Sequence, residues 1–188
     1  MQERSRKEKN ILYIVVPCYN EEQVLAETSK RLKEKCEMLI HDGKIAKESR
    51  IVFVDDGSRD HTWNMIDEFH KMDSIFSGVK LSRNRGHQNA LLAGLTMASE
   101  KADIVISMDA DLQDDINAVD QMIEKYYEGC DIVYGVRSAR DTDTFFKRFT
   151  AESFYKLLNW MGVEVIFNHA DYRLISSRVL EELSNFKE

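Results

Sequence analysis

The sequence lacks several features that would assign a class of protein at once. Its three cysteines, at positions 18, 36 and 130, are odd in number and show no CxxC spacing, which argues against a disulfide framework and a zinc site and favours a reducing compartment. No apolar run approaches the roughly 18 residues of a membrane span. Residues 1–10 lack the apolar core of a secretory signal and are predicted to form a flexible tail.

The usual nucleotide-binding and hydrolase fingerprints are also absent. The chain contains no G-x-G-x-x-G and no G-x-x-x-x-G-K-[ST], which argues against a dinucleotide-binding Rossmann site and a P-loop. Neither H-E-x-x-H nor G-x-S-x-G occurs. A net charge of −7 argues against general nucleic-acid binding. A phosphate-bearing ligand would therefore be held by a metal ion and side chains rather than by a glycine-rich loop.

The sequence does contain a regular alternation of strand and helix patterns. Its 188 residues are 43% hydrophobic and 31% charged, which is ordinary for a globular domain with a substantial core. Apolar runs predict strands at 11–16, 51–54, 79–81, from 104 and at 132–136, and helical spacing predicts helices at 23–40, 62–72, 88–98 and 117–127. The alternation predicts one α/β domain over 11–188, with a mainly parallel sheet and helices on both faces.

The most informative strand is the one that begins at Ile104 and ends at two carboxylates one residue apart. In an extended chain, residues i and i+2 point to the same side, so Asp109 and Asp111 aim at one point. Two carboxylates this close favour a hard divalent cation, Mg²⁺ or Mn²⁺, whose open positions can hold a substrate's phosphates. The alternative is an acidic turn in which Asp114 or Asp115 caps the next helix.

Polar residues follow every predicted strand. Ligands bind outside the carboxyl ends of the strands in open α/β sheets, so we expect these residues to share one rim. In chain order they are Pro17-Cys18-Tyr19-Asn20-Glu21-Glu22, Asp55-Asp56-Gly57-Ser58, Ser82-Arg83-Asn84-Arg85-Gly86-His87, Asp109-Ala110-Asp111 and Arg137-Ser138-Ala139-Arg140. Acids and bases alternate around this rim, which is the mixture that a phosphate-bearing ligand and a metal require.

Four of these stretches together resemble the family 2 glycosyltransferases of GT-A fold. The motifs are Val-Val-Pro-Cys-Tyr-Asn-Glu-Glu, Val-Asp-Asp-Gly-Ser, Leu-Ser-Arg-Asn-Arg-Gly and Met-Asp-Ala-Asp-Leu-Gln-Asp, in this order. Within the family the sequence is most similar to the polyprenyl-phosphate glycosyltransferases, which include dolichyl-phosphate mannose synthase and bactoprenol glucosyltransferases. The resemblance covers residues 11–183, and several ordered motifs are more specific than any one of them.

The resemblance implies roles in binding the donor and the metal. The implied nucleotide-sugar-binding residues are Pro17, Tyr19, Glu21, Asp55, Asp56 and Asp109, and the implied ligands of Mg²⁺ or Mn²⁺ are Asp109, Asp111 and Gln113. Each motif also has a structural interpretation. In that interpretation Pro17 ends a strand, Glu21 meets the dipole of the next helix, and Asp55-Asp56 form a turn closed by Gly57.

The resemblance also implies which residues carry the reaction. Asp111 and Asp171 are the implied catalytic residues, with Asp171 as general base beside Arg173. An acceptor phosphomonoester has its second pKa near 6 and is already largely anionic at neutral pH, so it needs positioning more than deprotonation. A sugar hydroxyl would need a base within hydrogen-bond reach. His87 and His169 are candidate helpers, with a structural role as the alternative for each.

The segment after residue 136 concerns the acceptor. Cations there lie close in sequence to a run of aromatic and aliphatic residues between 145 and 161, which suits a membrane surface and a lipid phosphate. The alternative for the aromatic residues is a helix that packs into the core. The resemblance implies that the lipid phosphate is bound by Arg137, Lys147 and Arg148.

We therefore expect an inverting glycosyltransferase that moves a sugar from a UDP- or GDP-sugar to a polyprenyl phosphate, in the cytoplasm at the inner face of the cell membrane. The alternatives are the same transfer to a saccharide hydroxyl, a nucleotidyltransferase, and a non-catalytic module that binds nucleotide sugars. Family members with lipid acceptors often continue into transmembrane helices, so we expect either a catalytic domain truncated before such helices or a member that docks peripherally. Formation of a homo-oligomer is left open.

Overall fold

The computed structural model describes residues 9–136 and 169–185. Within these residues, six strands form one sheet: β1 (Leu12–Cys18), β2 (Arg50–Asp55), β3 (Phe76–Lys80), β4 (Ile104–Ser107), β5 (Ile132–Val136) and β6 (His169–Ser176). The helices described are α1 (Leu25–His41), α2 (Thr62–Met72), α3 (His87–Ser99), α4 (Ala118–Tyr127) and α5 (Ser177–Asn185).

The strands lie in the order β3-β2-β1-β4-β6-β5. The first four are parallel to one another, whereas β6 runs antiparallel to both β4 and β5. The predicted mainly parallel sheet is therefore confirmed. The sequence did not predict β6, which enters the sheet between β4 and β5 with Arg173 opposite Ser107.

Helices cover both faces of the sheet because both faces of its central strands are apolar. In β1, Leu12, Ile14 and Val16 point to one face, and Tyr13 and Val15 point to the other. The first face packs against α1, α2 and α4, and the second against α3 and α5; representative buried residues are Leu32, Ile66 and Val119 on the first and Leu91 and Leu180 on the second. Continuous apolar strands of this kind are expected of a parallel sheet buried on both sides.

Helix α3 lies unusually close to the sheet. A Cβ on Gly94 would lie 2.4 Å from Cγ1 of Val15 and 2.8 Å from Cγ2 of Val54, so only a glycine permits this approach. The close packing fixes α3 against β1 and β2. It therefore also fixes the N-terminal end of α3, which begins at His87, relative to the carboxyl ends of those strands.

Most element boundaries agree with the sequence within a few residues, and the predicted bounds of α2 and β5 are those observed. Strand β3 begins three residues earlier than predicted, since Phe76 pairs with Ile51 and its ring stacks on Phe53. Just before α4, Asp115 Oδ1 accepts the N–H of Asn117 at 2.9 Å. Asn117 is the N-cap residue of α4 and no side chain in the described part of the chain caps the helix, so the capping role considered for Asp114 or Asp115 is wrong.

The predicted tail, residues 1–10, lies mostly outside the described residues. Its last residue, Asn10, is buried, and its carbonyl accepts the N–H of Ala46 at 2.9 Å. Among the helices of the described part of the chain, none combines the length and the apolar character needed to cross a membrane.

Candidate active site

The loops that follow β1, β2, β3 and β4 enclose a cleft of about 260 Å³. It lies at the carboxyl ends of these strands, where open α/β sheets bind their ligands. Its lining residues are Pro17, Cys18, Tyr19, Glu21, Asp56, Asn84, Gly86, His87, Ala90, Asp109, Ala110 and Asp111. The residues of the predicted site that line it are Pro17, Tyr19, Glu21, Asp56, Asp109 and Asp111. The described part of the predicted rim therefore forms a cleft, and Arg137–Arg140 lie outside the described residues.

Four carboxylates, from Glu21, Asp56, Asp109 and Asp111, line this cleft. Burial raises the pKa of the Glu21 carboxyl above its ordinary value, and the negative charges of Asp111, Asp60 and Asp109 raise it further. After burial, the second cause of the raised pKa is repulsion between carboxylates, which a cation would relieve. Carboxylate oxygens are the ligands that Mg²⁺ and Mn²⁺ prefer.

These carboxylates could bind a metal ion whose remaining ligands come from the phosphates of a substrate. Among the described residues, no three carboxylate, imidazole or thiolate groups are already arranged as a metal site. Mg²⁺ is often bound through only one or two carboxylates, with water and substrate phosphates at the other positions, and Asp109 and Asp111 supply that minimum. Gln113 is exposed and lies outside the cleft lining; its main-chain N–H donates to Asp111 Oδ1 at 3.1 Å.

The acidic loop after β4 has a fixed and unusual backbone. The N–H of Met108 donates to the carbonyl of Val15 at 3.1 Å, which ties the start of the loop to β1. Leu112 has a φ of 55°, a left-handed conformation that residues other than glycine and asparagine seldom adopt. From the start of α3, Nε2 of His87 approaches Oδ1 of Asp109 to 3.9 Å. Strain of this kind, held next to two carboxylates, is typical of a functional site.

Asp56 organises the loop that follows β3. Its Oδ1 accepts the N–H of Arg85 at 2.7 Å, and its Oδ2 accepts the N–H of Gly86 at 2.8 Å. Each carboxylate oxygen can accept more than one hydrogen bond, so these contacts leave capacity for a ligand. The nucleotide-binding role that the resemblance implies for Asp56 stays a prediction. What the structure shows is that Asp56 holds in place the loop that brings Asn84, Gly86 and His87 to the cleft.

The residues on either side of Asp56 shape the turn. Asp55 is fully buried, does not line the cleft, and accepts the N–H of Ser58 with Oδ1 at 3.1 Å. Gly57 has a φ of +70° and lies against the main chain of Arg83. Asp55 and Gly57 therefore form the turn that the structural interpretation of this motif predicts. The nucleotide-binding role of Asp55 stays a prediction.

The loop after β1 is joined to the loop after β2 by hydrogen bonds that the sequence did not indicate. The N–H of Asn20 donates to Ser58 Oγ at 3.0 Å, and the N–H of Glu21 donates to Thr62 Oγ1 at 2.8 Å. Asn20 has a φ of 57°, a left-handed conformation in which asparagine is enriched. The asparagine itself was therefore the signal in the sequence for a tight turn after β1. These bonds fix the backbone that presents Glu21 to the cleft.

The end of β1 supplies part of the cleft wall. Burial raises the pKa of the Cys18 thiol well above its ordinary value, and the charges of Glu21 and Asp55 raise it further. Cys18 is therefore a neutral wall residue and not a nucleophile. The next residue, Tyr19, is 39% exposed and offers an aromatic side chain to a ligand in the cleft.

The predicted acceptor-binding residues Arg137, Lys147 and Arg148 lie outside the described residues. Asp171 lies in β6, and only its backbone is described. Because Arg173 pairs with Ser107 in an antiparallel ladder, the residues that precede Arg173 run toward the end of β4, after which Asp109 follows. The topology thus brings the backbone of Asp171 to the acidic rim.

Comparison with known proteins assigns the family. The family model described as glycosyl transferase family 2 matches residues 13–184. The chain belongs to glycosyl transferase family 2. Among curated relatives, the uncharacterized glycosyltransferase YkoT of Bacillus subtilis is 52% identical to it over 183 residues, which cover 97% of this chain and 54% of the relative.

A second relative of this family 2 glycosyltransferase has a named substrate. The bactoprenol glucosyl transferase of Shigella phage SfV is 39% identical over 176 residues, which cover 93% of this chain and 54% of the relative. The chain therefore spans about half the length of the curated relatives it matches.

Solved structures confirm the predicted GT-A fold. The mannosyltransferase PcManGT from Pyrobaculum calidifontis, in complex with GDP-Man and Mn²⁺, matches with a TM-score of 0.63 and 20% identity, over 95% of this chain and 48% of that one. Glucosyl-3-phosphoglycerate synthase from Mycobacterium tuberculosis, in complex with Mn²⁺, UDP and phosphoglyceric acid, matches with a TM-score of 0.58 and 20% identity, over 90% of this chain and 57% of that one.

Proposed function

We propose that this family 2 glycosyltransferase transfers a sugar, with inversion, from a nucleoside-diphosphate sugar to a polyprenyl phosphate, and that it requires Mg²⁺ or Mn²⁺. The observation that carries the proposal is the cleft in which Glu21, Asp109 and Asp111 meet at the carboxyl ends of the strands. The neighbours solved with Mn²⁺ and with GDP-Man or UDP support the classes of donor and metal. The bactoprenol glucosyl transferase relative supports the class of acceptor.

In this proposal the cleft binds the donor. Asp109 and Asp111 hold the divalent cation, which when bound neutralises charge on the leaving diphosphate. Tyr19 and Asp56 contact the nucleoside, and the buried Asp55 stabilises the turn that carries Asp56 through its bond with the N–H of Ser58. The carboxylates alone would repel a diphosphate, so donor binding and metal binding depend on each other.

The acceptor is bound at the same rim. Its phosphate is largely ionised at neutral pH and attacks the anomeric carbon, while the nucleoside diphosphate leaves. Arg137, Lys147 and Arg148 position that phosphate, and Asp171 stands beside the reacting atoms. A polyprenyl chain remains in a bilayer, so the enzyme meets its acceptor at a membrane surface, which we propose is the inner, cytoplasmic face of the cell membrane.

The test is a transfer assay with a panel of UDP- and GDP-sugars. The acceptor is a polyprenyl phosphate in phospholipid vesicles, the product is identified by mass spectrometry, and its anomeric configuration is determined by NMR. We expect a sugar linked to polyprenyl phosphate, with the anomeric configuration inverted relative to the donor. The product should form in the presence of Mn²⁺ and should no longer form when EDTA is added.

Three results would redirect the proposal. Transfer to a saccharide hydroxyl but not to the lipid phosphate would favour a polysaccharide-building enzyme. Release of pyrophosphate from a nucleoside triphosphate would indicate a nucleotidyltransferase. Mn²⁺-dependent binding of the donor without any turnover would indicate a binding module.

A further inference from the structure

A buried hydroxyl on α1 contacts the acidic loop from below. Thr28 is fully buried, and its Oγ1 lies 2.6 Å from the main-chain oxygen of Ala110, 82 positions away in the sequence. The same Oγ1 lies 3.0 Å from the carbonyl of Val24, the N-cap residue of α1, four positions earlier. A threonine hydroxyl has one hydrogen to donate, and the shorter distance assigns that hydrogen to Ala110.

The contact reaches the peptide between the two carboxylates. Ala110 separates Asp109 from Asp111, and its carbonyl belongs to the peptide unit that leads into Asp111. Ala110 is itself only 4% exposed, so water is a poor substitute for the threonine hydroxyl. A peptide unit is planar, and fixing its oxygen therefore fixes the direction in which the chain enters Asp111.

We propose that Thr28 is a positioning residue for the metal site: its hydroxyl holds the Ala110 carbonyl and thereby sets the spacing of the Asp109 and Asp111 carboxylates. The proposal rests on the proposed function, since it assumes that these carboxylates bind Mn²⁺ with a nucleoside diphosphate. The second anchor of the loop, the bond from Met108 to Val15, precedes both carboxylates and cannot set their spacing.

The competing explanation is that Thr28 serves only its own helix. Threonine hydroxyls in helices often bond the carbonyl four residues earlier, which here is that of Val24. Under that explanation, removing the hydroxyl would affect stability alone. Under ours, it would leave the Ala110 carbonyl without its donor, and the metal affinity would fall.

The experiment compares three variants by calorimetric titration of Mn²⁺ in the presence of UDP or GDP. Thr28→Val keeps the shape of the side chain and removes the hydroxyl, and Thr28→Ser keeps the hydroxyl. The matched control is Ser29→Ala, which removes the neighbouring buried hydroxyl, one that donates to Ala26 within α1 at 2.9 Å. The affinity of each protein for the nucleotide without metal and its melting temperature are measured alongside.

We expect Thr28→Val to weaken Mn²⁺ binding about tenfold, the lower end of the range for residues that orient metal ligands. Thr28→Ser should restore wild-type affinity. Ser29→Ala should lower the melting temperature while leaving Mn²⁺ affinity unchanged. Metal-free nucleotide binding should be the same in all four proteins.

The outcomes separate this inference from the proposed function. A wild-type protein that binds no Mn²⁺ with either nucleotide overturns both. A wild-type protein that binds Mn²⁺, together with a folded Thr28→Val that binds it equally well, overturns the role of Thr28 alone. Should Thr28→Val not fold, Thr28→Cys replaces it, because a thiol is small and only a weak donor; unchanged affinity in that variant would also overturn the inference.

Discussion

A Cβ placed on Gly57 would lie 2.6 Å from the carbonyl carbon of Arg83. The turn after β2 and the loop after β3 therefore touch main chain to main chain, at a distance that no other residue permits. The neighbouring Asp56 binds the same loop through two N–H groups. Two adjacent residues of one motif thus determine where the loop with Asn84 and His87 lies in the cleft.

Gly57→Ala should therefore displace this loop. Its left-handed φ alone should cost about 1–2 kcal/mol, and the clash with Arg83 adds to that cost. We expect lower stability in urea and weaker binding of UDP or GDP by calorimetry. The matched control is Gly43→Ala, which has the same φ of +70° but would meet only Lys9 Cε, at 3.8 Å. Equal nucleotide affinity in the two variants would contradict the expected displacement.

The metal site gives a second prediction. Asp109→Asn and Asp111→Asn should each abolish the Mn²⁺-dependent part of nucleoside diphosphate binding, because each replaces a carboxylate by a neutral amide. Circular dichroism should show an intact fold. Asp115→Asn is the control from the same acidic stretch, since the amide retains an oxygen that can accept the N–H of Asn117. Unchanged metal dependence in both active-site variants would remove these residues from the metal site.

The raised pKa of Glu21 gives a prediction about pH. Ionisation of Glu21 costs the folded state more than the unfolded chain, so wild-type stability is reduced above the raised pKa, and the reduction vanishes below the ordinary pKa of about 4.3. The metal-free variant Glu21→Gln should therefore melt at a higher temperature than wild type at about pH 7, with the difference shrinking toward about pH 4.

Two comparisons check the cause of this effect. Mn²⁺ with UDP should raise the melting temperature of wild type more than that of Glu21→Gln, because the cation relieves repulsion that the variant lacks. Glu34→Gln, on the exposed side of α1, should show no such pattern. A difference in melting temperature that stays constant with pH would mean that the charge of Glu21 is not the cause.

The acceptor gives the last prediction. If Arg148 binds the acceptor phosphate, Arg148→Ala should lower kcat/KM for the lipid about ten- to a hundredfold with donor binding nearly unchanged, since one charge-assisted contact is lost. Lys71→Ala, at an exposed ion pair on α2, is the control. Asp171→Asn should retain substantial activity at neutral pH and lose it below about pH 6, where the acceptor gains a proton. An inactive Asp171→Asn with a fully active Arg148→Ala would favour a hydroxyl acceptor.

Much of the fold could be predicted because the strands of a parallel sheet are buried on both faces and therefore appear in the sequence as continuous apolar runs. The cleft could be predicted because the residues after those runs, from Glu21 to Asp111, meet at one edge. Strand β6 could not, since its sequence mixes His169, Asp171 and Arg173 with apolar residues, and its partners in the sheet are distant in the chain. The contact between Thr28 and Ala110 could not be predicted either. Helical spacing alone already explains why a threonine at this position of α1 is buried.

The position of β6 also affects how the chain folds during its synthesis. During synthesis β1 to β5 leave the ribosome first, yet β4 and β5 are not neighbours and each awaits the same later strand. Until His169–Ser176 arrives, the edge of β4 and the unpaired strand β5 are both open to pairing with other chains. Closing this gap brings together residues as far apart as Ile104 and Ser176, a contact of the kind that slows folding. Any shortened version of the protein should therefore retain β6, or aggregation will compete with assembly of the cleft.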